Sequence, residues 1–225
     1  VQIAMAEAFG VEVGAVRDEK VKVFRAIRPL TGRSLARGQY RSYCAEAGVA
    51  TDSRVETFAA MQIHLDSRRW QGVPFFLRAG KQMPVTATEV VVGLRRPPQQ
   101  VFPETIPPRS NSLRFRLGPR QGAIALGALV KRHGADNVGD EIELQVCNTQ
   151  DNEIEASKRL IGDAFRGDAT LFAPEDSVEA AWRIVAPILG KKTPLHDYEP
   201  GTWGLAEASA MIGEAGGWLN PQAAG

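Results

Sequence analysis

At 225 residues the chain is long enough for one substantial core or at most two small ones. Apolar residues at 44% and charged residues at 24% are ordinary for a globular protein, and a formal net charge of +1 gives no reason to expect nucleic acid or an anionic membrane as a partner. Neither a membrane span nor a basic-then-apolar leader is expected. Cys44 and Cys147 stand in no C-x-x-C arrangement and are too few for a disulfide scaffold, so a reducing, cytoplasmic setting is expected.

Residues 1–9 alternate polar and apolar side chains and predict a strand that ends in a turn at Gly10. The chain opens on Val1 as though already inside an element, which reads as a piece of something longer. Asp18 and Glu19, then Val21, Phe24 and Ile27 at helical spacing, predict a helix ended by Pro29, with Asp18, Glu19 and Lys20 as its charged head. Residues 30–51, rich in Gly, Ser and Arg, read as irregular.

From Val55 the period becomes two: Thr57, Ala59, Met61, Ile63 and Leu65 fall on one face, Gln62, His64 and Asp66 on the other. Further strands are predicted in VPFFLRAG, ATEVVVGLR, SLRFRLG, GAIALGALVK and DEIELQVC, separated by Gly, Pro, Asn and Asp. Strands in succession on short connections favour a mainly antiparallel sheet. A helix is predicted over 152–166, with Ile154, Ile161 and Phe165 near one stripe and Gly167 as its stop. A second is predicted over 174–189, opening at Pro174, Glu175 and Asp176, with a stripe of Val178, Trp182, Val185 and Leu189 and a kink or early end at Pro187. Trp70, Phe75 and Phe76 read as core and sheet-packing residues, and Trp182 as core on its helix. Beyond Gly190 the chain reads as loop, with a short helix in AEASAMI. The sum is an α+β domain over residues 1–225.

No G-x-G-x-x-G and no G-x-x-x-x-G-K-[ST] is present, so no glycine-rich nucleotide loop can be assigned. His64, His133 and His196 lie in unrelated surroundings and read as surface or sheet-face residues, with no metal site and no catalytic base among them.

The segments VRDEKVKVFRAIRPL, RGQY, RRWQGVPFFLRAGKQMP, TEVVV, AWRIVAPIL and YEPGTWG, in this order, resemble the glucose-6-phosphate dehydrogenase family from Val1 to about Gly204. The resemblance implies the C-terminal half of such an enzyme: a large mixed, mostly antiparallel sheet flanked by helices, which also makes a homodimer contact. It implies oxidation of glucose 6-phosphate to 6-phosphogluconolactone with NADP, at the head of the oxidative pentose phosphate pathway. The N-terminal Rossmann domain, its GxxGDLA-type fingerprint and the HYLGKE-like segment are absent from these residues, so this portion alone is expected to be inactive. FGVEVGAVRDEK also joins directly where the family has a Gly-Arg-Gly turn and a long helix.

By the same resemblance, Lys81 matches a lysine that contacts the sugar phosphate, a suitable partner because an ammonium is a compact charge with rotatable donors. Glu7 matches a glutamate that accepts hydrogen bonds from sugar hydroxyls. Thr86 stands where many members carry a second basic residue, and Gly118 where many carry glutamine; Thr86 could still offer a hydroxyl, Gly118 only backbone. Arg78 and Arg116 match arginines that touch a second, structural NADP in some members, with pairing to sheet-face acids such as Glu89 as the alternative. Trp203, in GTWG, receives no role. Two readings follow: part of a complete dehydrogenase, or a stand-alone, non-catalytic module that dimerises through its sheet and binds a sugar phosphate.

Overall fold

The computed structural model describes residues 13–95, 99, 111–118, 121–134, 139–149, 156–190 and 193–223. The strand predicted over 1–9, Glu7 within it, and the start of the helix predicted at 152 lie outside these residues. Contacts divide the chain into two compact units, Val1–Pro84 with Ile154–Ile212 and Val85–Glu153 with Gly213–Gly225. The α+β class with mostly antiparallel strands is what the chain adopts, and the described strands divide between two four-stranded sheets.

In the first unit, helix α1 spans Val13–Ala26, starting earlier than its charge pattern predicts. Asp18 and Glu19 therefore sit inside the helix rather than at its head, and no acid occupies the first turn. Strands β1 (Leu35–Tyr40), β2 (Phe58–Ile63) and β3 (Phe75–Gly80) follow. After the second unit come helices α2 (Ala156–Arg166) and α3 (Glu175–Val185), then strand β8 (Leu195–Tyr198) and the short helix α4 (Ala206–Met211). The sheet order is β3-β2-β1-β8, antiparallel except for the parallel β1–β8 pair.

β1 and β8 both fall in stretches that read as irregular. β1 escapes a pattern reading because its interior is Arg37, Gly38 and Gln39, yet from Ala36 to Tyr40 every residue is buried. The structure pairs most of this polarity internally, although the buried Arg37 Nε has no partner among the described residues. Arg37 donates to the Gly190 carbonyl (2.8 Å), Thr193 Oγ1 (3.0 Å) and the Glu56 carboxylate (2.9 Å), and the Gln39 amide donates to the carbonyls of Ser53 and Val55 (both 2.9 Å). Gly38 is closely packed, since a Cβ there would lie 3.1 Å from Tyr198 and 3.2 Å from Leu205, and those side chains would have to give by a few tenths of an ångström.

The core joins Ile27, Leu30, Ile63, Leu65, Ile184 and Ile188, with Trp70 and Phe75 packed against it edge to face at 5.4 Å. β2 is covered on both faces: Ile63 and Leu65 enter that core, while Phe58 (1% exposed) and Ala60 (0%) are buried on the other side. α1 and α3 are joined at α1's C-terminus, where Arg183 donates to the carbonyls of Phe24, Arg25 and Ile27, the first of which also accepts the Ile27 N–H. α3 buries Ser177, Ala180 and Ile184, with Ile188 in the 3-10 turn that follows, and the α-helix ends before Pro187. Of the stripe expected to be core, Val185 packs against the core, whereas Val178, Leu189 and Trp182 face outward, Trp182 at 54% exposed. Ser177, Ala180 and Ile184 have the same helical spacing, with Ser177 and Ala180 small enough for close approach, so periodicity alone could not choose the face. α2 stops at Gly167 (φ +70), as its sequence predicts, with Ile161 and Phe165 facing out.

In the second unit, β4 (Glu89–Gly93), β5 (Ser112–Leu117), β6 (Gln121–Lys131) and β7 (Gly139–Thr149) form an antiparallel meander. Register sorts its side chains by face. Val92 lies opposite Leu113, Leu113 opposite Leu126 and Leu126 opposite Leu144, while Phe115, Ile124 and Val146 form the next row. The other face carries Glu89, Arg114 and Arg116 with buried Ala123 and Ala125. His196 belongs to β8 rather than a loop, and its Nδ1 lies 3.2 Å from Glu207.

Candidate functional site

The turn after β3 brings together more of the sequence-derived positions than any other described region. β3 delivers Arg78, Ala79 and Gly80, and Lys81 follows with an exposed side chain. Among the described residues the Lys81 ammonium has no ion-pair or hydrogen-bond partner. Its backbone is fastened on both sides: the N–H donates to the Thr57 carbonyl (2.8 Å), and the carbonyl accepts from the Tyr198 hydroxyl (2.8 Å). The next residue, Gln82, has φ +50, and its carbonyl accepts from the Gly201 N–H (2.7 Å).

The YEPGTWG segment therefore lies against this turn. Tyr198 is 4% exposed, and burial raises its hydroxyl pKa above the ordinary 10, so the hydroxyl remains a protonated donor at physiological pH. The Arg78 guanidinium stacks 4.9 Å over the Trp203 ring, and burial lowers the Arg78 pKa from the usual guanidinium value. Gly204 (φ +94) and Gly80 leave the volume that Phe58 fills: a Cβ at Gly204 would lie 2.2 Å from the Phe58 ring, and one at Gly80 2.9 Å from it.

The other candidates separate. Thr86 is an exposed residue of the second unit. Gly118, also in that unit, has φ +121 and accepts a hydrogen bond from the Thr88 N–H (3.1 Å), so a side-chain-bearing residue would be strained there. Arg116 is held by Glu89 (Nε to Oε1, 2.8 Å) and by the Gln222 carbonyl (2.5 Å), and Arg114 takes the other Glu89 oxygen at 2.7 Å. Among the described residues no group of three His, Cys, Asp or Glu side chains is placed to hold a metal ion, and no helix is long and apolar enough to cross a membrane.

A family model described as glucose-6-phosphate dehydrogenase, C-terminal domain, matches residues 1–219. This chain belongs to that family. It is 36% identical over 221 residues to glucose-6-phosphate 1-dehydrogenase 1 of Mycobacterium bovis, covering 97% of this chain and 47% of the relative. The chain thus spans about half the length of the curated relatives it matches. Glucose-6-phosphate 1-dehydrogenase from Mycobacterium avium superposes with a TM-score of 0.87 at 34% identity, covering 99% of this chain and 50% of that one. A glucose-6-phosphate dehydrogenase in complex with its substrate glucose-6-phosphate superposes with a TM-score of 0.80 at 28% identity, covering 98% of this chain and 48% of that one.

Within the glucose-6-phosphate dehydrogenase family frame, sequence reasoning missed the residues that hold the turn. Tyr198, Gly201 and Gly204 lie in a motif that carried the resemblance but received no role. The available signal was Gly at 201 and 204 around a loop: both carry positive φ, and at Gly204 a fully buried ring also leaves no room for a Cβ.

Proposed function

We propose that this chain is the sugar-phosphate-binding and dimerising part of a cytoplasmic glucose-6-phosphate 1-dehydrogenase, which oxidises glucose 6-phosphate to 6-phosphogluconolactone with NADP and opens the oxidative pentose phosphate pathway. The observation that carries this reading is an exposed Lys81 ammonium, without a partner among the described residues, on a backbone held by Thr57, Tyr198 and Gly201, in a chain of this family. An ammonium in that setting suits a phosphate dianion, since it supplies charge and donors without first leaving an ion pair. Glu7 is assigned to the sugar hydroxyls, and Thr86 to a weaker hydroxyl contact.

NADP would supply the hydride acceptor, but these residues do not fit it. No glycine-rich phosphate loop is present in the 225 residues. Of the two arginines considered for a structural nucleotide, Arg116 already spends its donors on Glu89 and Gln222, and Arg78 is stacked on Trp203. The residues here bind and orient the sugar phosphate, and both C-terminal-type units are assigned to that one domain.

Initial rates of the full-length protein with glucose 6-phosphate and NADP test this reading. Saturable NADP reduction that strongly prefers glucose 6-phosphate to glucose is expected. A thermal shift with glucose 6-phosphate and no NADP reduction would instead indicate a binding module.

The β4–β7 sheet supports homodimerisation. Leu117, Ile124, Leu126, Leu144 and Val146 project from one flat face, with Leu144 62% and Val146 76% exposed. A contiguous apolar face of this kind marks an association surface. Sedimentation of full-length protein carrying Ile124→Glu and Val146→Glu is expected to show monomer where the parent is dimeric; an unchanged dimer rejects this face as the contact.

A further inference from the structure

Lys81 combines an exposed side chain with a closely held backbone. Tyr198, at the end of β8 and 4% exposed, reaches the Lys81 carbonyl at 2.8 Å. The surrounding donors form an ordered chain. The Tyr40 N–H donates to Thr57 Oγ1 (2.9 Å), which lies 3.1 Å from the Tyr198 oxygen. The phenol faces two carbonyl acceptors, Thr57 at 3.2 Å and Lys81 at 2.8 Å; when it donates to Lys81, the Thr57 hydroxyl is free to donate to it. The single phenol proton is then directed to its shortest acceptor, the Lys81 carbonyl. Thr57 acts on both sides of the turn, because its own carbonyl accepts the Lys81 N–H. Gln82, a non-glycine residue at φ +50, is the kind of backbone conformation that persists only where its surroundings hold it.

We propose that Tyr198 is a positioning residue for phosphate recognition: through the Thr57–Tyr198–Lys81 hydrogen-bond chain, with Gly201 holding the next peptide, it fixes the turn from which the Lys81 ammonium meets the sugar phosphate. This rests on the assignment of Lys81 as the phosphate contact. Tyr198 does not itself touch the substrate. Its effect is to restrict the directions from which the ammonium is presented, so binding loses less freedom.

The test is steady-state kinetics on the full-length protein with glucose 6-phosphate and with glucose. Tyr198→Phe keeps the ring against Phe58 and removes only the hydroxyl. It is expected to raise KM for glucose 6-phosphate about tenfold, to keep kcat within about twofold, and to leave KM for glucose unchanged. In a Lys81→Met background it is expected to add nothing, since both changes act through one contact. Should Tyr198→Phe fold poorly, Gly201→Ala disturbs the same turn from the Gln82 side, where nothing lies within 4 Å of the added Cβ. It is expected to raise the same KM about threefold.

A KM within twofold of the parent in Tyr198→Phe, beside a large rise in Lys81→Met, overturns the role of Tyr198 and leaves that of Lys81 standing. Equal losses with glucose and glucose 6-phosphate, or full additivity with Lys81→Met, overturn it in favour of general damage to the fold. No rise in Lys81→Met removes the assignment beneath it.

Discussion

Replacing Lys81 by methionine in the full-length protein is expected to raise KM for glucose 6-phosphate by roughly 30- to 150-fold, the equivalent of losing a charged hydrogen bond of about 2–3 kcal/mol. Methionine preserves much of the aliphatic length and removes the charge, so packing is a small part of the change. The side chain is exposed, and no ion pair among the described residues is broken by the substitution. The phosphate does not react, so its contact is held equally in the ground and transition states, and kcat is expected to change little. Lys81→Arg keeps the charge with a different donor geometry and is expected to recover most of the loss, leaving KM about fivefold above the parent. A KM unchanged in Lys81→Met would remove the lysine from the site.

Gly204→Ala is expected to produce the largest loss of stability among single-methyl additions in the first unit. Its Cβ would sit 2.2 Å from Phe58 Cε2 and 2.5 Å from Cζ, and its backbone is at φ +94. Phe58 is 1% exposed and cannot swing into solvent without opening the buried face of β2. Left-handed strain and overpacking together correspond to about 3 kcal/mol or more. Gly201→Ala is the internal control: φ is +75 but the space is open, so only the backbone term of about 1 kcal/mol is expected. Urea unfolding of the two variants compares them directly. Equal losses would show that the Phe58 contact is not what demands glycine at position 204.

The sequence was most legible where side-chain period and burial coincide. β3 to β7 were readable because each is an apolar run or an apolar–polar alternation between breakers, and α2 because Gly167 terminates it. β1 was not readable, because Arg37, Gly38 and Gln39 satisfy one another's surroundings only through Gly190, Thr193, Glu56, Ser53 and Val55, which are remote in sequence. β8 failed for a related reason: it is short, and it is a strand because β1 pairs with it in parallel. The buried face of α3 was misread because two helical stripes compete, and the partner surface, not hydrophobicity, selects the one with the smaller residues.

For the site, the motif around Lys81 was visible and its support was not. A tyrosine hydroxyl bound to a backbone carbonyl leaves no pattern, since any residue can offer that carbonyl. Gly118 shows the converse. In sequence it stands out as a glycine where many members carry glutamine, and its φ of +121 marks a backbone that favours glycine. Arg116 was weighed for a nucleotide, and the fold uses it to join β5 to Glu89 and to the chain near Gln222.

The most direct measurement is a crystal structure of the full-length protein bound to glucose 6-phosphate. The account predicts the Lys81 Nζ within about 3 Å of a phosphate oxygen, with the Tyr198 hydroxyl still bonded to the Lys81 carbonyl. A sugar phosphate bound with the Lys81 Nζ more than about 6 Å from every phosphate oxygen, beyond direct hydrogen bonding, would contradict it.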